Sequence, residues 1–143
     1  MGPKEHTVHI LVIEDNAADV ELLRRAFANA HLDCRLTLLE DGAEALAFLR
    51  RLEIPGEERP PDLVILDLNL PKNDGIEVLH AMRAAPAFAA VPVAVLSSSA
   101  SSRDRARIEQ LGIGRYMTKP PDLDEFLGIG LILKEMLAAS RGA

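Results

Sequence analysis

Short apolar runs alternate with longer amphipathic stretches along most of this chain. The runs are rich in Val, Ile and Leu, as in VHILVI and LVILD, and the stretches between them repeat apolar residues at helical spacing. Runs of the first kind predict buried strands, whereas the second pattern is typical of helices that offer one face to a sheet. The alternation therefore predicts an α/β fold built from βα units around a parallel sheet. We place the strands near residues 8–13, 34–39, 63–67, 92–96 and 114–118.

The predicted helices begin at recognisable start signals. Several starts pair an Asp with a Glu three residues later, which is the spacing of a capping box. These pairs are Asp41 with Glu44, Asp74 with Glu77 and Asp122 with Glu125. The helices are predicted to begin near residues 16, 42, 75, 102 and 122. The apolar side chains expected to face the sheet from the first two helices are Val20, Leu23, Phe27, Ala45, Leu46 and Leu49.

Length, charge and cysteine content narrow the functional classes. At 143 residues we expect one domain without a separate output module. A net charge of −6 disfavours a nucleic-acid surface, because phosphate contacts need clustered Lys and Arg. Cys34 is the only cysteine, so no intrachain disulfide is expected, and no apolar run has membrane-spanning length. We therefore expect a cytoplasmic protein that binds neither nucleic acid nor membrane.

Acidic side chains follow two of the predicted strands. Glu14 and Asp15 come after the first strand, and Asp67 lies at the end of the third. Ligands of open parallel sheets bind at the carboxyl ends of the strands. Neighbouring carboxylates repel one another unless a cation lies among them, and Mg²⁺ prefers oxygen ligands. Lys119, after the last strand, adds a charge that can pair with a phosphoryl oxygen or with the acids. These residues predict a metal-assisted phosphoryl site.

Each of these residues also has a simpler interpretation on its own. An acid after a strand is often a helix N-cap or turn residue, which applies most to Asp15. A single lysine such as Lys119 is usually a solvated surface residue. Asp67 is harder to explain in this way, because it interrupts a Leu-rich run and Asp is rarely buried without a partner. The combination is therefore more specific than any one of its members.

The motifs VIEDNAADVELL, LDLNLPKNDGIEVL and TKPPDLDEF resemble those of two-component response regulator receiver domains, over roughly residues 8–137. The resemblance implies a flavodoxin-like (βα)5 doubly wound parallel sheet with strand order 2-1-3-4-5. It also implies a receiver domain over residues 8–139, between a flexible N-terminus at 1–7 and a C-terminal tail at 140–143. The motifs most resemble stand-alone regulators paired with phytochrome-type sensor kinases, so the implied kinase partner is a sensor histidine kinase such as a bacteriophytochrome.

The resemblance assigns a phosphoacceptor and its metal ligands. Asp67 is the implied phosphoacceptor, which takes a phosphoryl group from the kinase. Glu14, Asp15, Asp67 and the backbone carbonyl of Asn69 are the implied Mg²⁺ ligands. The first acidic position is more often Asp in the family, and we expect the longer Glu14 to reach the metal through water. Such a domain catalyses only its own phosphorylation and dephosphorylation, so we do not expect an enzyme in the usual sense.

The resemblance also assigns residues that respond to the phosphoryl group. Ser97 is the implied hydroxyl residue after the fourth strand, although SSSASS could on sequence alone be a polar loop with helix caps. Tyr116 lies at the aromatic switch position, and Lys119 is the lysine of the KP motif. The resemblance implies that the Lys119–Pro120 peptide bond is cis. The proline makes this possible, since the cis form is accessible mainly before proline.

The last predicted helix carries more apolar surface than one sheet face can cover. Its apolar residues form two groups that lie roughly 100° or more apart around the helix axis. The first group is Phe126, Leu133 and Leu137, and the second is Leu127, Leu131 and Ile132. The surplus predicts a homodimer through the final helix region, unless the second group packs against the preceding helix or the C-terminal tail.

Two other functional classes share part of this pattern. An aspartate-nucleophile phosphohydrolase of the haloacid dehalogenase type also has an Asp after a strand, but its motif needs a second Asp where this chain has Asn69. A degenerate receiver could serve only as a phosphorylation-independent adaptor that binds other proteins. The adaptor is disfavoured because chemically competent side chains occupy the acidic pair, the phosphoacceptor, the hydroxyl and the lysine positions of the family, which are Glu14, Asp15, Asp67, Ser97 and Lys119.

Overall fold

The computed structural model describes residues 7–54, 59–68, 70, 75–98, 102–111 and 115–142. Within these residues, strands and helices alternate from β1 to α5, and a short 3₁₀ turn at Pro86–Phe88 follows α3. The elements are β1 (Val8–Ile13), α1 (Ala17–Asn29), β2 (Cys34–Leu39), α2 (Gly42–Leu52), β3 (Leu63–Asp67), α3 (Gly75–Ala84), β4 (Val93–Ser97), α4 (Ser102–Glu109), β5 (Arg115–Thr118) and α5 (Leu123–Gly142).

All strand pairs are parallel, and the order across the sheet is β2-β1-β3-β4-β5. The predicted fold and strand order are therefore confirmed, and the predicted strand bounds and helix starts lie within one residue of those observed. The cap at Asp41 is also confirmed, since its carboxylate accepts from the Glu44 N–H at 2.8 Å. Asp122 accepts from the Glu125 N–H at 3.1 Å in the same way. The cap predicted at Asp74 lies outside the described residues.

The sheet separates two apolar clusters. Along β1, Leu11 and Ile13 contribute to a cluster covered by α2 and α3, while Ile10 and Val12 contribute to one covered by α1 and α5. This alternation follows from the two-residue repeat of a strand, which sends successive side chains to opposite faces. The central strands β3 and β4 are buried along their whole length, as expected for a parallel sheet covered on both sides.

Helices α1 and α5 pack unusually closely on one face of the sheet. A Cβ atom added to Gly130 would overlap the carbonyl oxygen of Ala26, so only glycine permits this approach. Four residues further along α5, the Lys134 ammonium donates to the Ala30 carbonyl at 2.9 Å, at the end of α1. These two contacts fix α1, whose first turn borders the site described below.

The apolar surface of α5 is only partly covered. Phe126, Leu133 and Leu137 are buried, as predicted for the stripe that faces the sheet. Leu131, by contrast, is 56% exposed, and Ile132 is half-buried. Helix α5 continues to Gly142, past residue 139, where we predicted the domain to end, and that boundary stays a prediction. None of the helices in the described part of the chain is long and apolar enough to span a membrane.

Candidate functional site: an acidic cluster with one lysine

The carboxyl ends of neighbouring strands bring the predicted site residues to one edge of the sheet. Glu14 follows β1, Asp67 ends β3, Ser97 ends β4 and Lys119 follows β5. Two backbone hydrogen bonds extend the parallel pairing past the strand ends: the Glu14 N–H donates to the Leu39 carbonyl at 2.9 Å, and the Lys119 N–H donates to the Ser97 carbonyl at 2.7 Å. The backbone at both charged residues is therefore held by the sheet.

The Lys119 ammonium lies among three carboxylates. Its Nζ is 2.9 Å from Glu14 Oε1, 2.7 Å from Asp19 Oδ2 and 3.1 Å from Asp67 Oδ2. The lysine side chain is only 12% exposed, so these contacts are shielded from solvent. A lysine ammonium has one N–H donor for each of these carboxylates, so together they can occupy all of its donors.

Asp19 is a member of this cluster that our sequence analysis missed. It lies in the first turn of α1, and its backbone N–H donates to the side chain of the N-cap residue Asn16 at 3.1 Å. The available signal was its spacing: an acid three residues after an N-cap, in a helix that begins directly after Glu14 and Asp15, points back towards the same strand end. The apolar spacing in α1 predicts only the face that packs on the sheet and says nothing of its polar first turn.

Glu14, Asp15 and Asp67 form a group that fits a metal ion. One carboxylate oxygen from each lies within 4.8 Å of the others, close enough to share one cation. Glu14 and Asp67 are buried, while Asp15 is exposed and leaves the group open towards solvent. Because the ligand atom that each of these side chains offers is an oxygen, the group suits a hard divalent cation such as Mg²⁺. Asn69, whose backbone carbonyl was predicted as a further ligand, lies outside the described residues.

The cluster carries more negative charge than Lys119 can balance. The pKa of Glu14 is raised to about 7, first by burial and then by its hydrogen bond with Asp67 and the charge of Asp67, and the lysine offsets this only in part. For Lys119, burial lowers the pKa, but hydrogen bonds to Asp19 and Glu14 and the charges of Glu14 and Asp67 outweigh it, so its pKa is raised. A divalent cation at the acidic group would relieve the excess charge.

Ser97 and Tyr116 lie on the side of the site formed by β4 and β5. Ser97 is fully buried at the end of β4, where it pairs with Thr118 of β5 in the sheet. Tyr116 is half-buried, and the Arg105 guanidinium of α4 lies 4.8 Å from the centre of its ring. This distance is typical of a cation–π contact, so α4 and β5 are linked through the ring.

The prediction that the Lys119–Pro120 peptide bond is cis is wrong, because every peptide bond between described residues is trans. The trans form is favoured even before proline, by about 0.5–1 kcal/mol. Here the long lysine side chain reaches the acidic cluster from a trans backbone that is anchored by the Ser97 carbonyl.

Comparisons with known proteins agree with this geometry. The profile of the response regulator receiver domain matches residues 10–129. Response regulator Rcp1 of Synechocystis sp. is 36% identical over 116 residues, which cover 81% of this chain and 79% of Rcp1.

Solved structures give the same result at the level of the fold. The phosphorylated cyanobacterial phytochrome response regulator RcpA superimposes with a TM-score of 0.83 at 35% identity, over 94% of this chain and 96% of RcpA. The Mn²⁺-bound form of Rcp1 gives a TM-score of 0.79 at 33% identity, over 90% of this chain and 92% of that structure. With its acidic metal-type group and its lysine at the carboxyl edge of a 2-1-3-4-5 sheet, this chain belongs to the response regulator receiver domain family, whose members are signalling phosphoacceptors rather than classical enzymes.

Proposed function

We propose that this receiver accepts a phosphoryl group on Asp67 from a sensor histidine kinase, with Mg²⁺ as its metal ion. The observation that supports the proposal is the position of Asp67, which is both a member of the acidic metal-type group and a partner of the Lys119 ammonium at 3.1 Å. A carboxylate so placed is a nucleophile beside the Lys119 ammonium and within a group that fits a cation. This combination is what an incoming phosphoryl group requires, because charge spreads over its oxygens during transfer.

The transfer forms one bond and breaks one. An oxygen of the Asp67 carboxylate attacks the phosphorus atom of a phosphohistidine in the kinase, and an O–P bond forms while the P–N bond breaks. The electron pair of the broken bond stays on the imidazole nitrogen, which takes up a proton from solvent. Lys119 donates an N–H to an oxygen of the transferred group, from the side where it now contacts Asp67.

The metal site would be formed by the side chains of Glu14, Asp15 and Asp67 and by the backbone carbonyl of Asn69. When bound, Mg²⁺ supplies positive charge that offsets both the carboxylates and the transferred group. The raised pKa of Glu14 supports this assignment, since it marks a buried carboxyl group whose ionised form lacks sufficient positive charge nearby.

The kinase partner we propose is a phytochrome-type sensor histidine kinase. The support is the likeness to RcpA, which is a phytochrome response regulator, over nearly the whole of both chains. Purified kinases from several receptor classes, presented at equal concentration, would test the pairing through their relative rates of phosphotransfer.

The response to phosphorylation is proposed to pass through Ser97 and Tyr116. The Ser97 hydroxyl lies on the strand next to Asp67 and would be drawn towards the phosphoryl oxygens. This shift of Ser97 would then change the packing of Tyr116, whose ring contacts Arg105 of α4. This shift in a two-state equilibrium would alter partner contacts or a homodimer that forms through the exposed Leu131 side of α5.

Intact-mass measurement tests the central proposal directly. The protein is incubated with Mg²⁺ and a small phosphodonor, and the wild type is expected to gain the mass of one phosphoryl group. Asp67→Asn should gain none, because the amide is not a comparable nucleophile. Asp33→Asn, which changes an exposed Asp before β2, is the matched control and should behave as wild type. An unmodified wild type would instead favour a phosphorylation-independent adaptor.

A further inference from the structure

We infer that Asp19 is a positioning residue for phosphoryl transfer, which holds the Lys119 ammonium in place while the other partners of the lysine change. The inference rests on the proposed function of Asp67. Its starting observation is that the shortest of the three contacts of Lys119 Nζ is the one to Asp19, at 2.7 Å.

The three carboxylates around Lys119 have different roles in the proposed reaction. Asp67 becomes the acyl phosphate, so its carboxylate charge is lost and a phosphoryl oxygen replaces it as an acceptor for the lysine. Glu14 belongs to the group that fits a metal ion, so its carboxylate would be shared between the lysine and that ion. Asp19 is not a member of that group and is not the nucleophile. Of the three partners, it is therefore the one whose charge and position need not change.

The backbone of Asp19 is well suited to hold a side chain still. Its N–H donates to the Asn16 side chain, which fixes the first turn of α1. The far half of the same helix is held against α5 by the close approach of Gly130 to Ala26. The Asp19 side chain is only 21% exposed, so its contact with the lysine is largely shielded from solvent.

Loss of Asp19 should therefore affect the reaction step more than the binding of the donor. With one N–H donor released, the ammonium could turn towards solvent or move closer to Glu14, and it would contact the phosphoryl oxygens less often in the transition state. An interaction made in the transition state changes the rate constant at saturating donor. We expect Asp19→Ala to lower that rate constant about fivefold, which corresponds to about 1 kcal/mol.

The experiment measures phosphorylation rate against the concentration of a small phosphodonor, at saturating Mg²⁺. Asp19→Ala removes both charge and acceptor, whereas Asp19→Asn keeps an acceptor oxygen and should fall between Asp19→Ala and wild type. Glu21→Ala is the matched control, because it removes one negative charge from the same helix at an exposed position that contacts Arg25 at 3.7 Å and not Lys119. It should leave the rate unchanged.

A double-mutant cycle with Lys119→Ala separates positioning from general charge effects. If Asp19 acts through the lysine, Asp19→Ala should change the rate less than about twofold once Lys119 is absent. A Mg²⁺ titration provides a readout other than activity: Asp19→Ala should leave the affinity for Mg²⁺ close to that of wild type, since Asp19 is outside the metal-type group. Should Asp19→Ala not fold, Asp19→Asn carries the same cycle.

The outcomes distinguish this inference from the proposed function. If wild type takes up no phosphoryl group, the proposed function fails and the inference fails with it. If wild type is phosphorylated on Asp67 but Asp19→Ala and Asp19→Asn react as fast as Glu21→Ala, only the inference fails. It also fails if Asp19→Ala slows the reaction equally with and without Lys119, because a positioning role requires the lysine.

Discussion

The Glu14 carboxylate and the Lys119 ammonium lie 2.9 Å apart, although 105 residues separate them in the chain. Their strands are not neighbours, because β3 and β4 lie between β1 and β5. Three strand spacings amount to roughly 14 Å, so the two long side chains must extend towards each other along the edge of the sheet. Asp67 ends β3, one of the strands between them, and its carboxylate also contacts the Lys119 ammonium, at 3.1 Å.

The raised pKa of Glu14 predicts a pH-dependent affinity for Mg²⁺. A hard cation binds the ionised carboxylate, and Glu14 loses its proton only near pH 7. The affinity measured by titration should therefore rise between pH 6 and pH 8 by more than an ordinary carboxylate would produce. In Glu14→Gln the pH dependence should be largely lost, whereas the exposed control Glu21→Gln should keep it. Equal affinities for wild type at both pH values would contradict the prediction.

The same pKa predicts how stability without metal depends on pH. Between pH 4.5 and about 7, the folded protein keeps a proton on Glu14 that the unfolded chain releases. The folded state thus binds more protons in this window, and the contribution of Glu14 to the free energy of unfolding falls as the pH rises. Urea denaturation of wild type and Glu14→Gln at pH 5 and pH 8 isolates this contribution. The wild type should lose more stability than Glu14→Gln over this interval, and an equal loss would show that Glu14 is not the cause.

Asp15 should be required for metal binding, although it is not one of the three carboxylates that surround the Lys119 ammonium. Its carboxylate is the exposed member of the metal-type group, so a cation can reach it directly from solvent. We expect Asp15→Ala to weaken Mg²⁺ binding by roughly tenfold or more, because even outer-shell partners of metal sites contribute factors of that size. Isothermal titration against Asp33→Ala as control would measure it, and an unchanged affinity for Asp15→Ala would remove Asp15 from the site.

Gly130 should stabilise the protein through the approach of α5 to α1. In Gly130→Ala the new methyl group would overlap the Ala26 carbonyl oxygen, and overpacking of this kind costs about 1–3 kcal/mol. Gly128 provides the control, since a Cβ there would meet nothing within 4 Å. Because alanine favours a helix over glycine by about 1 kcal/mol, Gly128→Ala should stabilise the protein. Urea denaturation should separate the two variants in opposite directions, and equal midpoints would refute the packing argument.

The residues at the strand ends could be located from the sequence, because a parallel sheet brings the carboxyl ends of its strands to one edge regardless of loop conformation. Glu14, Asp67 and Lys119 could be placed from their positions after apolar runs. The spacing of Asp19 after the N-cap directs it towards the same edge, but its contact with Lys119 also depends on how α1 packs against the sheet and α5, which no local pattern specifies. The trans bond before Pro120 was missed because the expectation came from resemblance alone. Local pattern thus predicted the elements and strand ends, while helix packing determined the remaining member of the cluster.

The apolar side of α5 predicts self-association. Leu123 is 48% exposed and Leu131 is 56% exposed, so two large apolar side chains of one helix remain in contact with solvent. Burial of such surface contributes about 25 cal/mol per Å², although area alone does not set affinity. We therefore expect a homodimer that includes this side of α5 and whose strength changes on phosphorylation. Light scattering over a range of concentrations, with and without a phosphoryl mimic, would measure it.

The decisive variant for this dimer is Leu131→Glu combined with Ile132→Lys. It places opposite charges on the exposed side of α5 and leaves the buried stripe of Phe126 intact, so the monomer should fold while the dimer dissociates. The control is Ala28→Glu combined with Asn29→Lys, which adds the same pair of charges to exposed positions of α1. The control should dimerise like wild type. If the wild type stays monomeric at high concentration in both phosphorylation states, α5 does not form a dimer interface and its exposed leucines need another explanation.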